Sequence, residues 1–149
     1  FSLLPQVMDA VDLPIIAAGG IADGRGIAAA LTLGAAGVQI GTAFITAPEA
    51  RRKKHHPETV AEGTDSSTRI SRSVSGRPAR AHRTDWLDAV AQGKAAPFPL
   101  MYHYTAPLQA ADSARHQFSL YGQSASLAPP GDAADRLKAL VAQTQAILG

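Results

Sequence analysis

Apolar positions in the first 44 residues switch between two periods. Over residues 2–11, Leu3, Leu4, Val7, Met8 and Val11 recur at the three-and-four spacing that lines one face of a helix. Pro14 interrupts, and the run Ile-Ile-Ala-Ala at 15–18 is apolar throughout before it stops at Gly19 and Gly20. That run predicts a short strand buried on both faces, the habit of parallel sheets. Asp23 is a side-chain cap for a helix over 24–33, with Ile27, Ala30 and Leu31 on one face and Gly34 as its C-terminal stop. Residues 36–40 make the next strand, which leads through Gly41 and Thr42 to a short helix from Phe44 onward. Two strands joined by one helix in so few residues form a βαβ unit, which requires a parallel sheet with a right-handed crossover. The predicted fold class is α/β.

Beyond Ala47 the pattern loosens. Residues 64–74 alternate as a half-exposed strand or extended segment would, 86–92 read as a short helix, and Pro97, Pro99 and Pro107 punctuate an unassigned stretch around Tyr102 and Tyr104. From 132 to 148, Ala134, Leu137, Leu140, Val141 and Ile147 mark an amphipathic terminal helix. The expected organisation is therefore three parts: 1–50 as strand–helix units, 51–131 as a smaller irregular region, and 132–149 as a closing helix.

Composition narrows the function classes. The chain has 149 residues, 46% of them hydrophobic, and a net charge of +2, too mild for nucleic acid as a main partner. Arg51, Arg52, Lys53, Lys54, His55 and His56 do concentrate charge, but without interleaved aromatics, and a solvated helix C-terminus accounts for them. There is no cysteine, which removes disulfide and thiolate chemistry and is compatible with a reducing cytoplasm. No run of about 18 uninterrupted apolar residues predicts a membrane span. The expectation is a soluble, cytoplasmic chain with neither membrane nor nucleic-acid partner. It opens on Phe1 and not on Met, so the expectation includes a missing upstream part or processing.

The candidate chemistry lies at the strand ends. Glycines at 19–20 allow close backbone approach to a ligand, and Gln39-Ile40-Gly41-Thr42 ends the second strand in the same manner, with a hydroxyl nearby. Either pair alone is explained by a tight turn. Two pairs at corresponding ends of consecutive parallel strands point to a phosphate seat, as (β/α)8 barrels carry after their last strands. The pattern G-x-x-x-x-G-K-[ST] is absent, so FMN fits better than a nucleoside triphosphate. Gly24-Arg25-Gly26 is read as the opening of a helix. Arg77 and Arg80 are candidates to bind an anion, with buried or surface ion pairing the expected role, and Tyr102 and Tyr104 are candidates to line a substrate pocket, with aromatic packing the expected role. No metal site is expected, since His55 and His56 are adjacent and lack a spaced partner.

The stretches IIAAGGIADGRGIAAAL and GAAGVQIGTAF closely resemble the nitronate monooxygenase family, FMN-dependent (β/α)8-barrel enzymes. SVSGRPARAH at 73–82, PFPLMYHYTAPLQ at 97–109 and FSLYGQSASLA at 118–128 resemble the C-terminal region of the same family. The family usually has Trp-Ala-Gly-Gln where this chain has Tyr121-Gly122-Gln123. The resemblance implies the C-terminal portion of a TIM barrel with a smaller appended domain, FMN as cofactor, and alkyl nitronates with O2 as substrates, yielding a carbonyl compound and nitrite. It implies that Gly20, Gln39, Ile40, Gly41 and Thr42 contact the FMN phosphate, with Gly19 beside them. FMN-dependent enoyl-acyl-carrier-protein reductases carry almost the same phosphate segment and are the alternative; a degenerate half-barrel serving as a binding module is the non-enzyme alternative. The family's assisting histidine lies in a Gly-Gly-His segment upstream of the matched region, which this chain lacks, so no catalytic residue is assigned here. The expected partner is the missing N-terminal half of the barrel.

Overall fold

In a computed structural model the chain is a mixed α/β protein. The structure describes residues 2–50, 56–91, 93, 95–112, 116 and 118–149, with the backbone alone for residues 56–58 and 91. It divides into two compact units, one made of residues 1–51 with 124–149 and the other of 52–123.

The first unit begins with helix α1 (Leu3–Ala10), strand β1 (Ile16–Ala18), helix α2 (Gly24–Thr32) and strand β2 (Gly37–Gln39). The strands pair in parallel, with Ile16 opposite Gly37, Ala17 opposite Val38 and Ala18 opposite Gln39. This is the βαβ unit that the pattern predicts, and its helix is bounded by local chemistry. The Asp23 carboxylate accepts the Gly26 N–H at 3.1 Å at one end. At the other, Gly34 takes φ +100°, and the N–H groups of Gly34 and Ala35 reach back to Leu31 and Ala30 carbonyls in a Schellman motif. The strands are not buried, contrary to the expectation from their apolar runs: Ile16 is 56% exposed, and Ala18 and Gln39 are exposed as well. Among the described residues this sheet has two strands only, so each strand has an unpaired edge.

One helical turn, α3 (Thr42–Ile45), follows β2 and starts two residues earlier than the pattern predicts. The chain returns to this unit at a 3-10 turn (Ala125–Leu127) and the closing helix, here α7 (Ala133–Leu148), capped by Asp132, which accepts the Asp135 N–H at 2.8 Å. The apolar pattern puts Ala134, Leu137, Leu140, Val141 and Ile147 inward. Instead the buried positions are Arg136, Leu140 and Thr144, spaced four apart, while Leu137 is 58% exposed. The cause is α2: Gly24 lies so close to α7 that a Cβ there would stand 2.3 Å from Gln143 Cβ and 2.7 Å from backbone atoms of Gln143 and Thr144. The Gln143 side-chain oxygen also accepts the Gly24 N–H at 2.9 Å.

The second unit holds α4 (His56–Ala61), β3 (Thr68–Ser71), β4 (Ala79–His82), α5 (Asp85–Ala91) and α6 (Leu100–Ala111). β3 and β4 pair antiparallel, with Thr68 opposite His82 and Ser71 opposite Ala79. Val74, Ala81 and Leu87 form its buried core, with Trp86 and Phe118 packed against it, their rings 5.2 Å apart. The unassigned stretch around Tyr102 is a helix that accommodates Pro107. The residues 51–55 of the basic run lie outside the described residues; His56 opens α4, so at that residue a helix begins where the reading placed a helix end.

Candidate functional site

The parallel register determines what the strand ends share. With Ala18 opposite Gln39, the chain leaves β1 at Gly19-Gly20 and leaves β2 at Ile40-Gly41 side by side, at the spacing of paired strands. Gly19 and Gly20 take φ +97° and +72°, conformations that a side chain disfavours. A Cβ added to Gly19, Gly20 or Gly41 would meet no atom within 4 Å. Gln39 is the exposed last residue of β2, Ile40 is half-buried, and Thr42 is the half-buried first residue of α3. Of the six predicted site residues, Gln39 thus ends β2 and the other five follow the strand ends, Gly19 and Gly20 after β1 and Ile40, Gly41 and Thr42 after β2. Beside them, bounded by α1, β1 and α2, an open apolar groove of about 680 Å³ is lined in part by Leu3, Val7, Ile16, Gly19 and Gly20.

The neighbouring glycine turn is different. At Gly24-Arg25-Gly26 the helix donors are already engaged, Gly26 by Asp23 and Gly24 by Gln143. Arg25 pairs with Asp23 at 2.5 Å. Burial raises the Asp23 pKa, but the Arg25 hydrogen bond, the Gly26 N–H and the Arg25 charge outweigh it, so the carboxyl sits below its ordinary range. This turn opens a helix, as read from the sequence.

Two ties hold the segment that follows Gly41. Both Glu49 oxygens accept the Ala133 N–H at 3.2 Å. Arg136, 5% exposed, donates from Nε to the Gly131 carbonyl at 2.8 Å and from Nη1 to Thr46 Oγ1 at 2.7 Å, and Nη1 also donates to the Ala43 carbonyl. Sequence reasoning missed Arg136. An arginine among helical apolar residues reads as solvated, and the spacing of four to Leu140 was the available signal.

In the second unit, Arg77 lies 4.1 Å over the Phe98 ring and Arg80 donates to Thr68 Oγ1 at 3.1 Å across the strand pair. Among the described residues neither joins a carboxylate, so the expected ion pairs are replaced by a cation–π contact and a cross-strand hydrogen bond. Tyr102 packs edge-on against Phe98, whereas Tyr104 is 67% exposed and has no aromatic partner among the described residues. Gln123 donates its amide to the Asp65 carbonyl at 2.9 Å. His82 Nδ1 and the Tyr121 hydroxyl are 2.7 Å apart, and their rings stack. Burial lowers the His82 pKa and raises that of Tyr121, the latter against a Ser67 hydrogen bond. His116 sits edge-on to Trp86. Among the described residues no helix is long and apolar enough to cross a membrane.

The family described as nitronate monooxygenase matches residues 1–143. A probable nitronate monooxygenase of Bacillus subtilis (strain 168) is 39% identical over 104 residues, which are 70% of this chain and 30% of that protein. One from Staphylococcus aureus (strain Newman) is 36% identical over 112 residues, 74% of this chain and 32% of that protein. Among solved structures, nitroalkane oxidase from Streptomyces ansochromogenes superposes with a TM-score of 0.89 at 34% identity, covering 99% of this chain and 45% of that one. FabK from Thermotoga maritima gives 0.77 at 27% identity, covering 98% and 49%. The chain spans about a third of the length of the curated relatives it matches and less than half of these solved structures.

Proposed function

The chain belongs to the nitronate monooxygenase family, and on that premise we propose that it is the phosphate-gripping part of an FMN-dependent oxidoreductase that oxidises alkyl nitronates with O2 to carbonyl compounds and nitrite. It supplies the last strand–helix units of a (β/α)8 barrel, the smaller domain and the closing helix; the upstream barrel half completes the sheet. The exposed apolar faces of β1 and α1 support this reading, since upstream strands would cover them. A cytoplasmic location fits the composition.

The observation that carries the reading is the pair of strand ends. A phosphate monoester needs close backbone approach, and Gly19, Gly20 and Gly41 present open space where any other residue would place a Cβ. The residues present therefore fit the group. Gly19, Gly20 and the Gln39–Thr42 turn would hold the phosphate, while Asp23 and Gln143 keep the α2 donors engaged with protein. Bound FMN would supply a two-electron acceptor for the nitronate and a path for electrons to O2. The role of this chain is to bind and orient; the proton-handling histidine belongs to the upstream part.

The test uses protein expressed from the intact reading frame. Purified protein should carry FMN, consume O2 with an alkyl nitronate and release nitrite. Gly41→Ala, at φ −110° and with free space for its methyl, should melt within about 2 °C of the parent, as a near-neutral surface change does, yet lose most of its FMN. Reduction of an enoyl thioester by NAD(P)H without nitronate oxidation would replace this reading by the reductase one, and a protein with no flavin at high FMN would leave only a binding module.

A further inference from the structure

Arg136 is a charged residue in an apolar position of a helix, and among the described arginines it is the one that is buried. Its three hydrogen-bond acceptors, the Gly131 carbonyl, the Ala43 carbonyl and Thr46 Oγ1, are neutral. Among the described residues no carboxylate pairs with it; Arg25, Arg69 and Arg83 have one, and Arg77 and Arg80, which have none, are not buried as it is. Neutral oxygens accept from Nε and Nη1 but bring no opposite charge, and a buried charge without one is costly to the fold. Solubility does not explain it at 5% exposure.

The placement of its acceptors does. Ala43, fully buried, lies two residues past Gly41, and Thr46 closes the single turn of α3. One guanidinium thus grips both ends of the segment that leaves the strand-end turn, and anchors it to the first turn of α7. The fork geometry of arginine suits this, because two acceptors on Nη1 and a third on Nε define position as well as distance. Glu49, the other tie between the same elements, makes its bond to the Ala133 backbone and leaves the guanidinium unpaired.

We propose that Arg136 is a positioning residue for the FMN phosphate: through Ala43 and Thr46 it holds the Gly41–Thr42 turn in the shape that receives the phosphate, and its positive charge is matched once a phosphate dianion is bound. This rests on the FMN reading above. It assigns to the closing helix a part in cofactor selection, which its apolar pattern does not suggest.

The experiment compares FMN with riboflavin, which has the same ring and lacks the phosphate. Apoprotein from the intact reading frame is titrated with each, following flavin fluorescence, and the ratio of the two dissociation constants measures the worth of the phosphate. Arg136→Met should lower that ratio by about tenfold, the scale of one lost charge-assisted bond, with riboflavin binding within about twofold of the parent. Thr46→Val keeps the arginine and the local volume and should lower the ratio by several-fold. If Arg136→Met does not fold, Thr46→Val decides by the same comparison. An equal loss for both flavins would make Arg136 a structural strut only, and an unchanged ratio would equally overturn the proposal. A parent ratio near one would instead remove the phosphate-seat reading itself.

Discussion

Gly19 and Gly20 leave β1 with positive φ and open space around them, whereas Gly24, four residues on, is packed so closely on α7 that an added Cβ would overlap the backbone of Gln143 and Thr144. Both are small-residue turns of one loop, and in the sequence they look alike. Their difference lies in what stands opposite. The first turn is at the end of a strand pair, where the sheet stops and no atom stands within 4 Å of an added Cβ. The second is where two helices meet, and the glycine is there so that backbones can approach. A glycine-rich loop is therefore not by itself a phosphate loop; the space beyond the missing Cβ separates a glycine that lets backbones pack from one that leaves the strand end open.

Substitutions at the two turns separate these roles. The largest effect is expected at Gly24→Ala. The methyl meets backbone atoms that cannot move aside, so overpacking should cost about 3 kcal/mol and lower the melting temperature by roughly 10 °C, with loss of FMN only as a consequence of unfolding. A variant that melts like the parent would mean that α2 and α7 can slide apart. At Gly20→Ala the expectation reverses in kind. The strain of a side chain at φ +72° should cost about 1 kcal/mol, but FMN retention should fall far more than stability does. Equal losses in both would place Gly20 with Gly24 as a folding glycine.

The smallest effect is at the cap between the two turns. Asp23→Ala removes the bond to Gly26 and should cost about 1 kcal/mol at neutral pH. The Asp23 pKa is depressed in the folded protein, so its contribution is fully present above the ordinary carboxylate range and is lost as pH falls through the folded value. Denaturant melts of parent and variant should therefore converge as pH drops below about 4, because protonation abolishes the same contacts that the mutation removes. A gap that stays constant with pH would mean the cap works through packing and not through charge.

Much of the first unit was legible in the sequence because its signals are local. The three-and-four spacing of α1, the apolar run of β1, the Asp23 cap and the Gly34 stop each involve residues within a few positions of one another. The six strand-end residues were legible for the same reason: strand, helix and strand in succession imply a parallel register that sets their ends together. The second unit was harder. β4 reads Ala-Arg-Ala-His, without an apolar alternation, and is held as a strand by its ladder with β3 and by His82 N–H donating to the Ser119 carbonyl. α6 was hidden by Pro99 and Pro107, which puncture a pattern that packing nonetheless keeps helical.

The sequence by itself determined the alternation of strand and helix, the caps that bound α2, and the glycine ends of β1 and β2, because backbone preference and short-range hydrogen bonds act over a few residues. Only the tertiary structure decided which face of α7 is buried and what Arg136 does there. Its hydrogen bond to Ala43 joins residues 93 positions apart, and no periodicity within one helix records where the other helix permits close approach. That approach depends on the missing Cβ of Gly24, so one small residue in α2 selects the buried stripe of a helix at the other end of the chain.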